Sequence, residues 1–243
     1  MLKIRTITLL VFAVLAVSSC LAAAPAGKDA PVKIVCFGDS ITEGYLLSRP
    51  AEESWPGVLA RLLDARDGKG KFQVVNAGIS GQDTRQGLKR LDALLASEKP
   101  DWILMEYGTN DLWSSRHMTP SDTEKNLKEM ITRMKAANVR VIIATLPPVG
   151  DMEREVAERN EAIRRVAADT GTPLVDINAF VEEKLTAAGG RDKKSSWEKL
   201  YTLEDSFLHP NASLAAMLAE RWLIAFDAAT AQGAAKPTVD STH

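Results

Sequence analysis

The sequence predicts an α/β fold: one three-layer, doubly wound domain, with a five-stranded parallel sheet and helices on both faces. Three observations carry this. From Pro31 onward, short apolar runs alternate with amphipathic segments. The runs are β-branched or aromatic and are bounded by Gly, Pro or Asn, as strands buried on both faces are. Regular β–α alternation joined by right-handed crossovers leaves few topologies, and the flavodoxin-like order 2-1-3-4-5 is the simplest.

The elements follow in order. KIVCF (33–37) stands between Pro31 and Gly38, and a helical pattern over 54–66 follows it. FQVVN (72–76) closes on an asparagine and leads to a helical pattern over 83–97. DWILMEY (101–107) runs from Pro100 to Gly108, with a helix expected over 120–137. RVIIATL (140–146) stops at Pro147, and a helix is expected over 151–170. TPLVDI (172–177) is the fifth strand and leads into a helix over 178–188. The polar segment 187–206, with Trp197 and Tyr201 embedded, reads as a long loop or lid. Pro210 opens a last helix to about Ala229, since proline suits a first helical turn. The domain is expected to span 27–231, with a disordered tail over 232–243.

Composition narrows the class. A chain of 243 residues with 45% hydrophobic and 26% charged residues is ordinary globular protein. A formal net charge of −2 and no Lys/Arg-rich block argue against nucleic acid as a partner. Residues 1–26 differ: Lys3 and Arg5, an apolar run and small residues form the pattern of an export signal. The apolar stretch Ile7 to Val17 is too short for a bilayer span. Val17-Ser18-Ser19-Cys20 resembles a bacterial lipobox, which makes Cys20 the expected lipidation site; cleavage after Ala24 or Ala26 is the competing exit. The expected location is the periplasm of a bacterium or its membrane, reached through that lipid anchor alone. Cys36, in an apolar strand, is expected to be an inert core thiol.

CFGDSITEG (36–44) stops an apolar strand at Gly-Asp-Ser. In an open α/β sheet the C-terminal strand ends are where ligands bind, so Ser40 is either a turn residue or a nucleophile. A nucleophile needs a base, and the chain has three histidines. His243 is terminal, His117 lies in WSSRHMTP after the third strand, and His209 stands in EDSFLHPNAS just before the last helix. A helix N-terminus disfavours an imidazolium, so His209 would want a carboxylate; Glu204 and Asp205 lie just upstream. NAGISG (76–81) can offer the Gly78 amide and YGTND (107–111) the Asn110 side chain as oxyanion donors. Three such loops at neighbouring strand ends converge on one place.

FGDSITEG, NAGISG, YGTND and HPN occur in the order and context of the four blocks of the SGNH (GDSL-type) hydrolase family, which the chain resembles over its whole mature length. SWPGVLARLL, VVNAGISGQDTRQGLKRLDALL and KPDWILMEYGTNDLW are similar to its branch of bacterial periplasmic thioesterase/lysophospholipases and arylesterases. The resemblance implies that Ser40 is the nucleophile, His209 its base, and that the Ser40 amide, Gly78 and Asn110 form the oxyanion hole. It implies cleavage of small or acyl-chain esters or thioesters through an acyl-enzyme. One departure stands out. The family places an aspartate three residues before its histidine, where this chain has Ser206; Asp205 lies four before, and a one-residue bulge would let it serve as the third triad member.

The G-x-S-x-G elbow of the rival α/β-hydrolase fold is absent, because Ile41-Thr42 follows the serine. No metal or other cofactor is expected: the histidines and cysteines form no zinc-spaced cluster, and no phosphate-binding G-x-x-x-x-G-K-[ST] occurs. Two other functions compete. A carbohydrate O-acetylesterase would use the same fold; Tyr45, Trp113 and Trp197, the candidate mouth aromatics, fit an acyl chain and a sugar alike. A binding domain without catalysis would have no need of Ser40, Asn110 and His209 together.

Overall fold

The computed structural model describes residues 30–204 and 207–234. Its sheet holds β1 (Val32–Gly38), β2 (Phe72–Gly78), β3 (Trp102–Glu106), β4 (Arg140–Ala144) and β5 (Leu174–Val175), all parallel, in the order β2-β1-β3-β4-β5. This is the topology that the alternation predicts. The helices are α1 (Ser40–Glu43), α2 (Pro50–Glu53), α3 (Trp55–Asp67), α4 (Thr84–Glu98), α5 (Pro120–Ala136), α6 (Glu153–Thr170), α7 (Ile177–Ala188), α8 (Lys194–Glu198) and α9 (Ala212–Ala234).

Strand side chains alternate between two cores, as the period of two requires. Ile34, Cys36, Trp102, Leu104 and Ile142 face one side and pack with Leu59 of α3, Val181 of α7 and Trp222 of α9. Val35, Phe37, Ile103, Met105 and Ile143 face the other and pack with Leu91 of α4, Met130 of α5 and Ile163 of α6. Both faces of the sheet are covered, so the central strands are near-continuous apolar runs, with polar residues chiefly at their ends. Cys36 is fully buried and its thiol is pushed upward by that burial, as expected of an inert core residue.

Register places the site. Gly38 of β1 pairs with Gly78 of β2 and with Glu106 of β3, so three strands end level and their loops leave side by side. The helices that follow start at defined caps. Ser54 accepts from Gly57 N at the start of α3, Asp83 and Gln86 form a reciprocal capping box on α4, and Thr119 and Asp122 do the same on α5.

Four boundaries differ from expectation. The fifth strand keeps only Leu174–Val175, because Asp176 turns aside to cap α7, accepting from Ala179 N. The fourth strand ends at Ala144; both backbone groups of Leu146 are taken by the Asn160 side chain instead of the ladder. The expected lid is not all loop: α8 lies inside it. Trp197 donates to Arg191 O at 2.8 Å, and Tyr201 to Pro148 O at 2.7 Å. Both aromatics are buried in the core, so Trp197 is not a mouth residue. Finally, Pro210 does not open α9: it bridges to Tyr201, Asn211 accepts from Leu214 N as the cap, and the helix runs from Ala212 to Ala234, past the expected end near Ala229, because no proline before Pro237 stops it. The expected leader with Cys20, and positions 235–243 of the expected tail, lie outside the described residues.

Candidate active site

Ser40 is not in an open loop. β1 ends at Gly38, Asp39 N-caps the four-residue helix α1, and Ser40 is its first residue. Asp39 Oδ1 accepts from Ile41 N at 3.1 Å, while Gly44 N donates to Ser40 O at 3.0 Å and closes the turn. His209 comes from the far end of the chain. Its carbonyl accepts from Thr202 N at 2.9 Å, and Tyr201 and Pro210 form a short antiparallel bridge that pins the segment. His209 Nε2 stands 2.7 Å from Ser40 Oγ, with both residues buried. The Tyr45 ring meets the imidazole edge to face, 5.0 Å between centroids. His117 caps the short turn Ser114–Arg116 and takes no part in this contact. Asp205 and Ser206 lie outside the described residues, as does His243.

The loop after β3 turns into a 3-10 helix at Thr109–Leu112, which carries Asn110. The Asn110 Nδ2 group donates to Gln82 O at 3.1 Å and to Asp39 Oδ2 at 3.4 Å, so it lies between the serine turn and the loop after β2. Its neighbour Asp111 anchors the 3-10 turn. That carboxylate accepts from Thr84 N and Oγ1 and from Thr123 Oγ1, at 2.6–2.9 Å, tying the starts of α4 and α5 to the site.

Gly78, the expected donor of the second loop, has a different job. Its N–H already donates to Asn76 Oδ1 at 2.9 Å. A Cβ there would lie 2.1 Å from Glu43 N, so glycine is needed for the close approach of α1. The other glycine of NAGISG, Gly81, has φ +76°, open space where a Cβ would go, and an N–H with no acceptor among the described residues. Sequence inspection missed it because both glycines fit a turn; only the bond to Asn76 tells them apart. Glu43 holds this loop in place, accepting from Ser80 N at 2.8 Å and from the Ser80 hydroxyl.

Beneath the serine turn lie two fully buried carboxyls. Burial pushes Asp39 up to about 7, and burial together with the charge on Asp39 pushes Glu106 well above the carboxylate range. Of the six exposed large hydrophobic residues among those described, Tyr45 and Leu46 lie after α1, Ile79 in the loop after β2 and Trp113 in the loop after β3, while Leu203 lies between α8 and α9 and Ile224 on α9. No cluster of three or more His, Cys, Asp or Glu among the described residues could hold a metal ion.

The model of the GDSL-like lipase/acylhydrolase family matches residues 36–216, from the start of the serine block to beyond His209. The chain belongs to this family. As a member it is a serine hydrolase acting on ester bonds. It is 31% identical over 191 residues to the thioesterase 1/protease 1/lysophospholipase L1 of Escherichia coli, which covers 78% of this chain and 80% of that one. It is 38% identical over 133 residues to an arylesterase of Vibrio mimicus, covering 53% and 61% of the two chains. Among solved structures, the lipase/acylhydrolase from Enterococcus faecalis is 28% identical, with a TM-score of 0.65 over 85% of this chain and 98% of that one. These likenesses agree with the resemblance read from the four motif blocks and with the predicted fold.

Proposed function

We propose that this family member hydrolyses carboxylic esters or thioesters through an acyl-enzyme on Ser40, with His209 as general base. The carrying observation is the 2.7 Å contact between His209 Nε2 and Ser40 Oγ, made by buried residues from opposite ends of the chain. In the forward step Oγ attacks the carbonyl carbon and its proton passes to Nε2. Collapse breaks the bond to the alcohol or thiol, which leaves with that proton. Water, deprotonated by the same nitrogen, then releases the acid.

An Nε2 that accepts from serine carries its proton on Nδ1, and Asp205 is the proposed carboxylate that holds this tautomer. The oxyanion is proposed to meet the Ser40 N–H, the Gly81 N–H in place of that of Gly78, and the Asn110 side chain, which would turn its N–H from Gln82 O to the oxyanion while keeping the other on Asp39. Asn110→Ala should lower kcat far more than it raises KM, by about 2.7–4 kcal/mol of barrier, the cost of one lost oxyanion donor. A change confined to KM would reduce Asn110 to a substrate-binding or loop residue.

Tyr45 against the His209 ring, with Leu46, Ile79 and Trp113 exposed on the segments that follow β1, β2 and β3, supports an acyl chain as the recognised part of the substrate. The test is a panel of p-nitrophenyl esters and acyl thioesters of graded chain length, beside acetylated sugars, with stopped-flow detection of a burst. Turnover that rises with chain length and a burst equal to the enzyme concentration are expected. Selective deacetylation of sugars would move the assignment to a carbohydrate O-acetylesterase, and a linear onset with no burst would remove acyl-enzyme accumulation. Export to the periplasm, with Cys20 lipidated, is proposed from residues 1–26 alone. No helix among the described residues is long and apolar enough to cross a membrane.

A further inference from the structure

The reaction proposed above makes no use of Glu106, although its carboxyl meets Thr42 in the short helix that Ser40 opens. Glu106 ends β3 opposite Gly38, the residue before Asp39, and both carboxyls are at most 1% exposed. Two carboxylates so placed and so dry cannot both be charged without a nearby cation. The titratable and charged groups packed around them are Asp111, Tyr107, Arg90 and, on the Ser40 side, His209. Arg90 is committed elsewhere: it donates to Gly38 O, Ala77 O and the Tyr107 hydroxyl and lies over the Phe37 ring. No ion pair among the described residues involves either carboxyl.

Hydrogen bonding says where the remaining charge sits. Asp39 accepts from Ile41 N at 3.1 Å and from Asn110 Nδ2 at 3.4 Å, so its ionised form is solvated by donors. Among the described residues Glu106 is reached by no N–H: it accepts a long bond from Thr42 Oγ1, at 3.4 Å, and has the buried, otherwise unpaired Thr109 hydroxyl beside it, and a hydroxyl can as well accept from the neutral acid. A buried carboxylate with so few donors is costly, whereas a carboxylic acid in the same place is not. We propose that Glu106 is a positioning residue: as the neutral acid beside the Ser40 turn it leaves the negative charge, whenever the pair ionises, on Asp39, which holds Ile41 N–H and Asn110 Nδ2 in place for the reaction. Glu106 touches no substrate; it acts through Asp39 on the serine turn and on the oxyanion side chain together.

The test combines spectroscopy with kinetics on the full-length protein. The infrared difference spectrum between the wild type and Glu106→Gln at neutral pH should contain the carbonyl stretch of a protonated carboxyl, lost in the variant. Glu106→Gln, a neutral isostere, should keep kcat within about threefold. Glu106→Ala should lower kcat at least about tenfold with KM little changed, the order expected when a buried hydrogen-bonding group loses its surroundings. A carboxylate band in place of the acid band, or a Gln variant as impaired as the Ala variant, would overturn the proposal. If Glu106→Ala does not fold, the Gln variant and the spectrum still decide it. The proposal rests on Ser40 as nucleophile, but the band does not: recorded in a Ser40→Ala background, it reports the proton on Glu106 whichever residue attacks.

Discussion

Ser40→Ala should abolish ester turnover and leave the unfolding transition where it was. Ser40 Oγ bonds only His209 among the described residues and packs into neither core, so its loss costs the fold little. His209→Ala should be nearly as damaging. With the nucleophile and base acting as a unit, each single change should cost kcat about 10⁶-fold, and the double variant hardly more than either. The measurement is kcat for a p-nitrophenyl ester in the four proteins of the cycle, each checked by circular dichroism. Additive losses would mean that serine and histidine work independently, and the 2.7 Å contact would then be structural.

Asp205→Asn should follow with the second largest effect. If the Asp205 carboxylate fixes the His209 tautomer and stabilises the imidazolium, an amide in its place costs on the order of 10⁴ in kcat, as in a well-studied triad. The amide can present its N–H where the imidazole needs an acceptor, so the loss exceeds that of the charge alone. Ser206→Ala, at the position where the family has its aspartate, should cost little, because a hydroxyl cannot balance the imidazolium charge. A mild Asp205→Asn beside a crippled Ser206→Ala would move the orienting role to Ser206 and remove the one-residue bulge from the account.

Much of this protein is legible in its sequence, for a physical reason. Strands buried on both faces are near-continuous apolar runs, so KIVCF, DWILMEY and RVIIATL stand out in the sequence and are ordered by crossover handedness. Ligand chemistry at the C-terminal strand ends is why Ser40 and Asn110 stand out among other serines and asparagines, while His209 stands out as one of only three histidines. What sequence could not supply is which groups are already engaged. Gly78 and Gly81 are equivalent as letters; the fold turns the Gly78 N–H to Asn76 and gives that of Gly81 no acceptor among the described residues. Trp197 could be a mouth aromatic until packing put it in the core. Glu106 is one acid among 32 acidic residues until the register of β1 and β3 buries it beside Asp39. Residue type and spacing determined the fold and the three strand-end loops. Tertiary structure alone decided which donors are free and which acids are charged, because hydrogen-bond partners and burial come from segments far apart in the chain.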